Sequence, residues 1–323
     1  MPVVLVAGVV FINGWTDAPN AITGVVVTKT LSFRAAVSLA AVCNLLGLFI
    51  SSFFNAAVAN TMLSLINLGG ITAGLATKAL CAAMVTILVF AVVAWRFGIP
   101  TSESHALVAA LAGASAACGE GFSFAGWPQV MVGLVFSLLL GGGLGRVLII
   151  LLGKRLRCFL PEQLGGVQVA SAGAMAFMHG AQDGLKFMAV FVVAKSIGYG
   201  TAPPTAILPQ QHLPEVFLCA LAMMLGTATG GRRIISHIGE VMVKLDKASA
   251  ICADLGSAAS LFAGSVLGLP MSTTHTKTAA IMGAGKSINM RAVKSILFAW
   301  GATFPICASL GYFFTKFFVI IFA

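Results

Sequence analysis

The sequence predicts an all-α polytopic membrane protein built from two inverted-topology repeats with broken helices and re-entrant helical hairpins. Three observations carry that expectation. Apolar residues fill 59% of the 323 positions and charged residues only 9%, at a mean hydropathy of +1.01, whereas an ordinary globular chain is about 25% charged. One set of polar residues occurs twice in the same order. Lys and Arg mark opposite sides of equivalent loops in the two copies. A soluble core has no room for so much apolar surface, but a bilayer can act as its solvent. Because roughly 20 apolar residues cross ~30 Å of hydrocarbon, the length accommodates about 10–12 crossing or re-entrant segments.

The net charge of +10 does not indicate a nucleic-acid partner. The cations sit at segment ends, as in Lys154-Arg155-Leu156-Arg157, Arg232-Arg233 and Lys286 to Lys294, which is the bias of loops facing the cytoplasm. The seven cysteines show no CxxC or metal-ligand spacing and lie mostly in apolar runs, where a thiol behaves as a small hydrophobe. The N-terminus has no basic region before its apolar run and is not read as a cleavable signal.

The repeat organises everything else. Asp17 recurs as Asp183 and Lys29 as Lys195, each 166 residues on. Gly98-Ile99-Pro100 recurs as Gly268-Leu269-Pro270, and His105 as His275, each 170 residues on. The halves are expected at 1–158 and 165–323, joined by a cytoplasmic linker at 159–164. Each begins with an interrupted helix (3–30 and 166–197), broken near Gly14 and Pro19 in one copy and near Gly180 and Gly184 in the other. A continuous span follows (35–54 and 213–229), then a weaker, interfacial segment (57–76 and 233–247). Two short helices then meet at the Gly-Ile-Pro or Gly-Leu-Pro turn (79–118 and 249–286). A long span closes each half (127–152 and 293–320).

Orientation follows from charge. Residues 119–127 hold Glu120 and no cation, whereas 286–294 hold Lys286, Arg291 and Lys294; residues 52–60 are uncharged, whereas 230–247 carry Arg232, Arg233, Lys244 and Lys247. Conversely, Lys29 and Arg34 face a single lysine and a long Pro-rich loop (199–214) in the second half. Equivalent loops therefore face opposite sides. The expectation is a multi-pass cell-membrane protein with both termini outside the cytoplasm and Lys154–Arg157 inside.

Inverted repeats with interrupted helices place a binding site near the midplane, at the repeat interface. The residues at the breaks are Asn13-Gly14-Trp15-Thr16-Asp17-Ala18-Pro19-Asn20 and His179-Gly180-Ala181-Gln182-Asp183-Gly184-Leu185-Lys186. A carboxylate inside an apolar span costs ~2.5–3.5 kcal/mol to insert, so Asp17 and Asp183 read as functional rather than merely bonded to loosened backbone. The other breaks are helix starts: Pro100 precedes Thr101-Ser102-Glu103-Ser104-His105, and Pro270 precedes Met271-Ser272-Thr273-Thr274-His275. Ser and Thr cap such starts, whose free N–H groups, hydroxyls and positive dipole end make an anion cradle. Two inverted hairpins would aim both cradles at one point, where a tetrahedral oxyanion could use both. An anion beside two buried acids is repelled strongly in a low dielectric, so cations or protons must enter with it.

With these residues in view, the chain resembles the inorganic phosphate transporter (PiT) family over nearly its whole length, through the Asp17 and Asp183 signatures and the Ser/Thr-rich signatures ending at His105 and His275. The resemblance implies a bacterial low-affinity type of secondary carrier importing inorganic phosphate by alternating access. It implies phosphate held by Thr101, Ser102, Ser272, Thr273 and Thr274, with Asp17, Asn20 and Asp183 handling the coupling cation. No resident cofactor is expected; the co-transported species is a proton, sodium or a divalent metal moving with phosphate, with sodium or metal lodged at Asp17 and Asp183. The chain departs from the sodium-type pattern of Asn-Asp followed by Ala-Asn. Thr16 precedes Asp17, Gln182 precedes Asp183, and Lys186 stands where the second copy should offer Asn. A lysine ammonium there could replace one bound cation, which favours the proton- or metal-phosphate branch.

Glu103 occupies the place of Thr273, and Lys277 that of Leu107. Two readings stand: Glu103 pairs with Lys277 across the pseudo-two-fold axis, or Glu103 is itself a proton site. His105 and His275 could be ligands or proton carriers, or could brace their hairpin turns by hydrogen bonds. His179 is a weaker site candidate, and His212 and His237 are read as loop residues. The many glycines, such as Gly141-Gly142-Gly143, are expected to let helices approach closely. Beyond the bilayer and inorganic phosphate, a homo-oligomer is left open. The rival substrate is sulfate or another tetrahedral oxyanion. An ion channel would need a continuous polar pore, and a metallohydrolase would need a cluster such as HExxH, which is absent.

Overall fold

A long apolar segment in hydrocarbon can satisfy its backbone from within itself only as a helix. The computed structural model describes residues 1–66, 71–119, 126–230, 235 and 243–322. Glu120, Arg232, Arg233 and His237 lie outside the described residues. Among those described there are twelve α-helices: α1 Pro2–Thr16, α2 Pro19–Val27, α3 Phe33–Phe54, α4 Ala57–Leu65, α5 Ala73–Arg96, α6 Glu103–Ala117, α7 Trp127–Arg157, α8 Gly165–Gly198, α9 Leu213–Thr229, α10 Lys247–Val266, α11 Thr273–Ala284 and α12 Met290–Ile321. By length and apolarity, α1 with α2, α3, α5, α7, α10 and α12 can each cross a bilayer. The large apolar side chains of α7 and α12, among them Leu139, Leu151, Phe298 and Phe313, face outward. The protein is a multi-pass membrane protein.

Both hairpins form at the expected turns, by the same local chemistry, but only their second arms are short: the first arms, α5 and α10, are 24 and 20 residues long and can cross a bilayer. Gly98 and Gly268 have φ of 67° and 66°, a left-handed conformation that only glycine adopts freely. Each closes a Schellman motif: Gly98 N–H donates to Trp95 and Ile99 N–H to Ala94, while Gly268 N–H donates to Ser265 and Leu269 N–H to Gly264. After the proline, the chain re-enters as α6 or α11. At 15 and 12 residues these are roughly 22 and 18 Å long, too short to span ~30 Å of hydrocarbon.

One expected break is present and one is not. α1 ends at Thr16 and α2 begins at Pro19, so Asp17 and Ala18 form the break. α8, by contrast, runs unbroken through Gly180 and Gly184 for 34 residues. The physical difference is Pro19, which lacks an N–H and clashes with the preceding turn; the second copy has glycines but no proline. A glycine inside a helix weakens it by about 1 kcal/mol relative to Ala without ending it.

The α8 glycines serve packing instead. A Cβ on Gly180 would collide with the Asn44 backbone, and one on Gly47 with the Phe177 backbone, so α3 and α8 cross backbone to backbone. Gly14 and Gly226 do the same for α1 and α9, Gly113 and Gly311 for α6 and α12, and Gly283 and Gly141 for α11 and α7. Each hairpin helix thus packs on the long closing helix of the other half. Small residues permit such approaches where no hydrophobic effect drives helices together.

Of the triple glycine, Gly141 meets Thr276 backbone, Gly142 has only ordinary contacts, and Gly143 faces open space. Gly141→Val therefore destabilises the protein by roughly 1–3 kcal/mol, read as a lowered Tm in detergent. Gly143→Val should leave Tm within a degree of the parent; equal losses in both would contradict the packing account.

At the α7–α10 end, Asp246 caps α10 by accepting from Ser249 N–H at 2.8 Å and pairs with Arg157 at 3.2 Å and Lys286 at 2.7 Å. Its partial burial alone would raise its pKa, but Lys286, Ser249 and Arg157 outweigh that and hold the carboxyl below the usual range. It therefore stays ionised at neutral pH, and its stabilising contribution is lost only as pH falls into the acid range.

Candidate functional site

The break between α1 and α2, the middle of α8, and the starts of α6 and α11 meet at the centre of the molecule. Ser102 and Ser272, the caps of the two hairpin helices, touch Oγ to Oγ at 2.8 Å. Each cap also accepts one first-turn N–H, from His105 at 3.4 Å and from His275 at 3.2 Å. A helix start leaves further N–H groups unused by the helix itself, so two positive dipole ends converge here. The Ser272 N–H is anchored by Ser137 of α7 at 2.8 Å, and Trp300 of α12 holds the other turn by donating to the Pro100 carbonyl at 3.0 Å.

The acids and the hydroxyls form one cluster rather than two separate sites. Thr273 Oγ1 lies 3.1 Å from Asp17 Oδ2 and 3.0 Å from Asp183 Oδ2, bridging the two repeats' carboxylates. Thr274 donates to Asp17 Oδ1 and lies 3.1 Å from the Thr101 carbonyl. Asn20 donates to the same Asp17 oxygen at 2.6 Å. All these side chains are buried. Asp17, Asp183, Asn20, Thr273 and Thr274 thus form one hydrogen-bonded group, joined by the Thr101 carbonyl, and the Ser102–Ser272 pair lies at the adjoining helix starts.

Lys186 is wholly buried on α8, and its ammonium contacts Asp183 Oδ1 at 2.7 Å, Ser104 Oγ at 2.8 Å and the Met271 carbonyl. A carboxylate, a hydroxyl and a carbonyl are the oxygen ligands a hard cation would select. The ammonium is thus held by three oxygens of that kind.

The expected Glu103–Lys277 pair does not form. Glu103 accepts from Oγ1 of Thr16, the residue before Asp17, at 2.6 Å, while Lys277 pairs with Asp254 of α10. The reason is helical phase: Glu103, at the first position of α6, faces the α1–α2 break, whereas Lys277, one turn into α11, faces α10. Asp254 is a lone acid in an apolar run, and that isolation is its signal in the sequence.

Other contributors come from the same motifs. Asn13 donates to Asp183 Oδ2 at 3.2 Å, and Ser104 lies 3.5 Å from Asp183 Oδ1. His179 Nε2 is 3.5 Å from Asp183 Oδ2, and its Nδ1 is 3.0 Å from Asn44 Oδ1. Gln182 braces the second hairpin through the Leu261 and Leu269 carbonyls at 3.3 Å each. Asn44, mid-way along α3, was findable only as an amide in an apolar span. Asp17, His179 and Asp183 each offer an atom within 4.8 Å of the others, a set that fits one small cation. His275 braces its turn through Ser272 at 2.5 Å and packs at a tilt against Trp300; the His105 ring packs edge-on against His275 and makes no such bond.

Broken helices and helical hairpins that enclose a buried, charged centre between two related halves define the class: a multi-pass membrane protein with a polar site at its repeat interface. The chain belongs to the phosphate transporter family, whose pattern it matches over residues 13–161 and again over 160–311. It is 32% identical to a probable low-affinity inorganic phosphate transporter of Bacillus subtilis (strain 168), over 93% of this chain and 91% of that one. It is 34% identical to a protein of the same description from Rhizobium meliloti (strain 1021), over 92% and 90%. Its fold is that of a solved structure described as the sodium-dependent phosphate transporter, with a TM-score of 0.87 over 99% of this chain and 98% of that one, at 18% identity.

Proposed function

We propose that the protein imports inorganic phosphate by alternating access, coupled to protons, with Lys186 standing permanently in place of one coupling cation. Supporting the substrate reading are the family and the convergence of the Ser102 and Ser272 helix starts from opposite halves, 2.8 Å apart. Phosphate then takes over the donors Thr101, Ser102, Ser272, Thr273 and Thr274. The repeats, at 1–158 and 165–323, rock about this point, with both termini outside the cytoplasm.

Charge balance argues for protons. The cluster holds three carboxyls (Asp17, Asp183 and Glu103) against one ammonium. Lys186 cancels Asp183. Glu103 Oε2 is buried with no donor facing it, and the neighbouring Asp17 carboxyl can supply one only if a proton lies between them. Phosphate entering beside a second bare carboxylate would meet several kcal/mol of repulsion even at an effective dielectric of about 20. A proton on the Asp17–Glu103 pair removes it.

The test is radiolabelled phosphate uptake into proteoliposomes, with pH gradient, sodium and divalent metal varied separately. Uptake should follow an inward proton gradient without sodium and be competed by arsenate rather than sulfate. Strict sodium dependence with no response to pH would overturn the coupling; preference for sulfate would overturn the substrate. Glu103→Gln, which mimics the protonated form, should lower gradient-driven uptake at least ~10-fold, an effect in the range of a single proton-transfer group. Phosphate–phosphate exchange should survive. Equal loss of both activities would instead make Glu103 structural.

A further inference from the structure

The central site leaves one buried ion pair unused: Lys277 of α11 with Asp254 of α10, to which Ser171 of α8 donates at 3.2 Å. Both charges are within 1% of full burial. Such a pair is poor evidence of stability, since apolar residues of similar volume often do as well or better. The first repeat demonstrates this. The positions 170 residues earlier are Met84 and Leu107, both packed in the apolar core, and the fold forms there without charge.

The same contrast extends along the interface. Ser249 and Ser257 of α10 correspond to Ala79 and Ile87 of α5, again core residues. Around this pair, polar groups continue outward from the site. Lys277 lies one turn beyond Thr273 and Thr274. Past it, Gln168 bonds Thr28 and Thr30, and Arg157 reaches Ser249 at 3.5 Å and Asp246 at 3.2 Å. This line ends at a cavity of about 420 Å³ whose walls include Thr28, Arg157, Asp246 and Lys247. Buried polar groups of this kind can be hydrated when helices part; the apolar counterpart cannot.

We propose that Lys277 is a second, transient oxyanion site, through which phosphate passes between the central cradle and the Arg157 cavity. In the closed state Asp254 holds the ammonium. As α11 parts from α8 and α10, the ammonium exchanges Asp254 for the departing phosphate, and Ser171 keeps a hydrogen bond on the vacated carboxylate. This inference rests on phosphate being the substrate of the central site.

The experiment replaces the pair with its own counterpart from the first repeat, Asp254→Met with Lys277→Leu, and measures phosphate flux into proteoliposomes from each side separately. Orientation is scored with an impermeant maleimide on Cys158, exposed beside Arg157. For phosphate entering from the opposite side, Vmax should fall 5- to 10-fold with KM unchanged. For phosphate entering from the Arg157 side, KM should rise by a similar factor. Lys277→Arg should keep wild-type values in both directions. Should the apolar pair not fold, Asp254→Asn with Lys277→Gln carries the same expectation. Wild-type kinetics in a neutral double variant, or equal KM changes from both sides, overturns the Lys277 site alone. A wild-type protein that transports no phosphate overturns the substrate reading itself.

Discussion

Asp17→Asn and Asp183→Asn should each lower phosphate uptake at least ~100-fold, yet only the second should destabilise the fold. The two acids occupy related positions but keep different company. Asp17 is held by neutral donors from Thr273, Thr274 and Asn20; an amide of equal size keeps most of these bonds and buries no unpaired charge. Asp183 is the partner of a wholly buried ammonium. Its neutralisation leaves Lys186 with Ser104 and the Met271 carbonyl only, and stranding one charge of a buried pair costs about 3–5 kcal/mol. The Tm in detergent should therefore fall for Asp183→Asn and hold for Asp17→Asn. Adding Lys186→Met to Asp183→Asn should restore the Tm but not the uptake. Equal stability of the two single variants would show that Lys186 is not ionised in its site.

Lys186→Asn should convert the coupling. On the proposed role of Lys186 as a fixed second-repeat cation, wild-type uptake is expected to ignore sodium. The substitution recreates the Asp-x-x-Asn spacing of Asp17 and Asn20 and frees the oxygens of Asp183, Ser104 and Met271 for a mobile ion. Uptake in potassium medium should drop at least ~10-fold and recover when sodium is supplied. Sodium, but not potassium, should also raise the Tm of the variant, because a ligand that binds only the folded state stabilises it by mass action. A variant equally active in both salts, or one that sodium neither revives nor stabilises, would sink the idea that Lys186 stands for a cation.

Much of this site is legible before any coordinates. Asp17, Asp183 and the two Ser/Thr-rich helix starts announce themselves because hydrocarbon tolerates polar residues only where they are used, and because each recurs at a fixed separation. The hairpin turns are equally readable, since Gly98 and Gly268 followed by proline encode a left-handed cap and a restart. Composition could not distinguish a glycine that breaks a helix from one that admits a neighbour. Gly180 and Gly184 looked like the counterpart of the α1–α2 break, but α8 continues through them because nothing there removes a backbone N–H, and α3 leans on the bare surface.

The choice of ionic partners was beyond the sequence for a related reason. Glu103 and Lys277 are opposite charges at nearly symmetric places, and symmetry alone suggested a pair. Helical phase turns one toward Thr16 and the other toward Asp254.

What the sequence determined by itself is the solvent, the two-fold plan and the cast of polar residues, all of which follow from the free energy of moving single groups into hydrocarbon. Which of those residues face one another was decided only by the tertiary structure. A buried charge is settled by the few ångströms around it, and those distances are set by how helices distant in sequence rotate and cross.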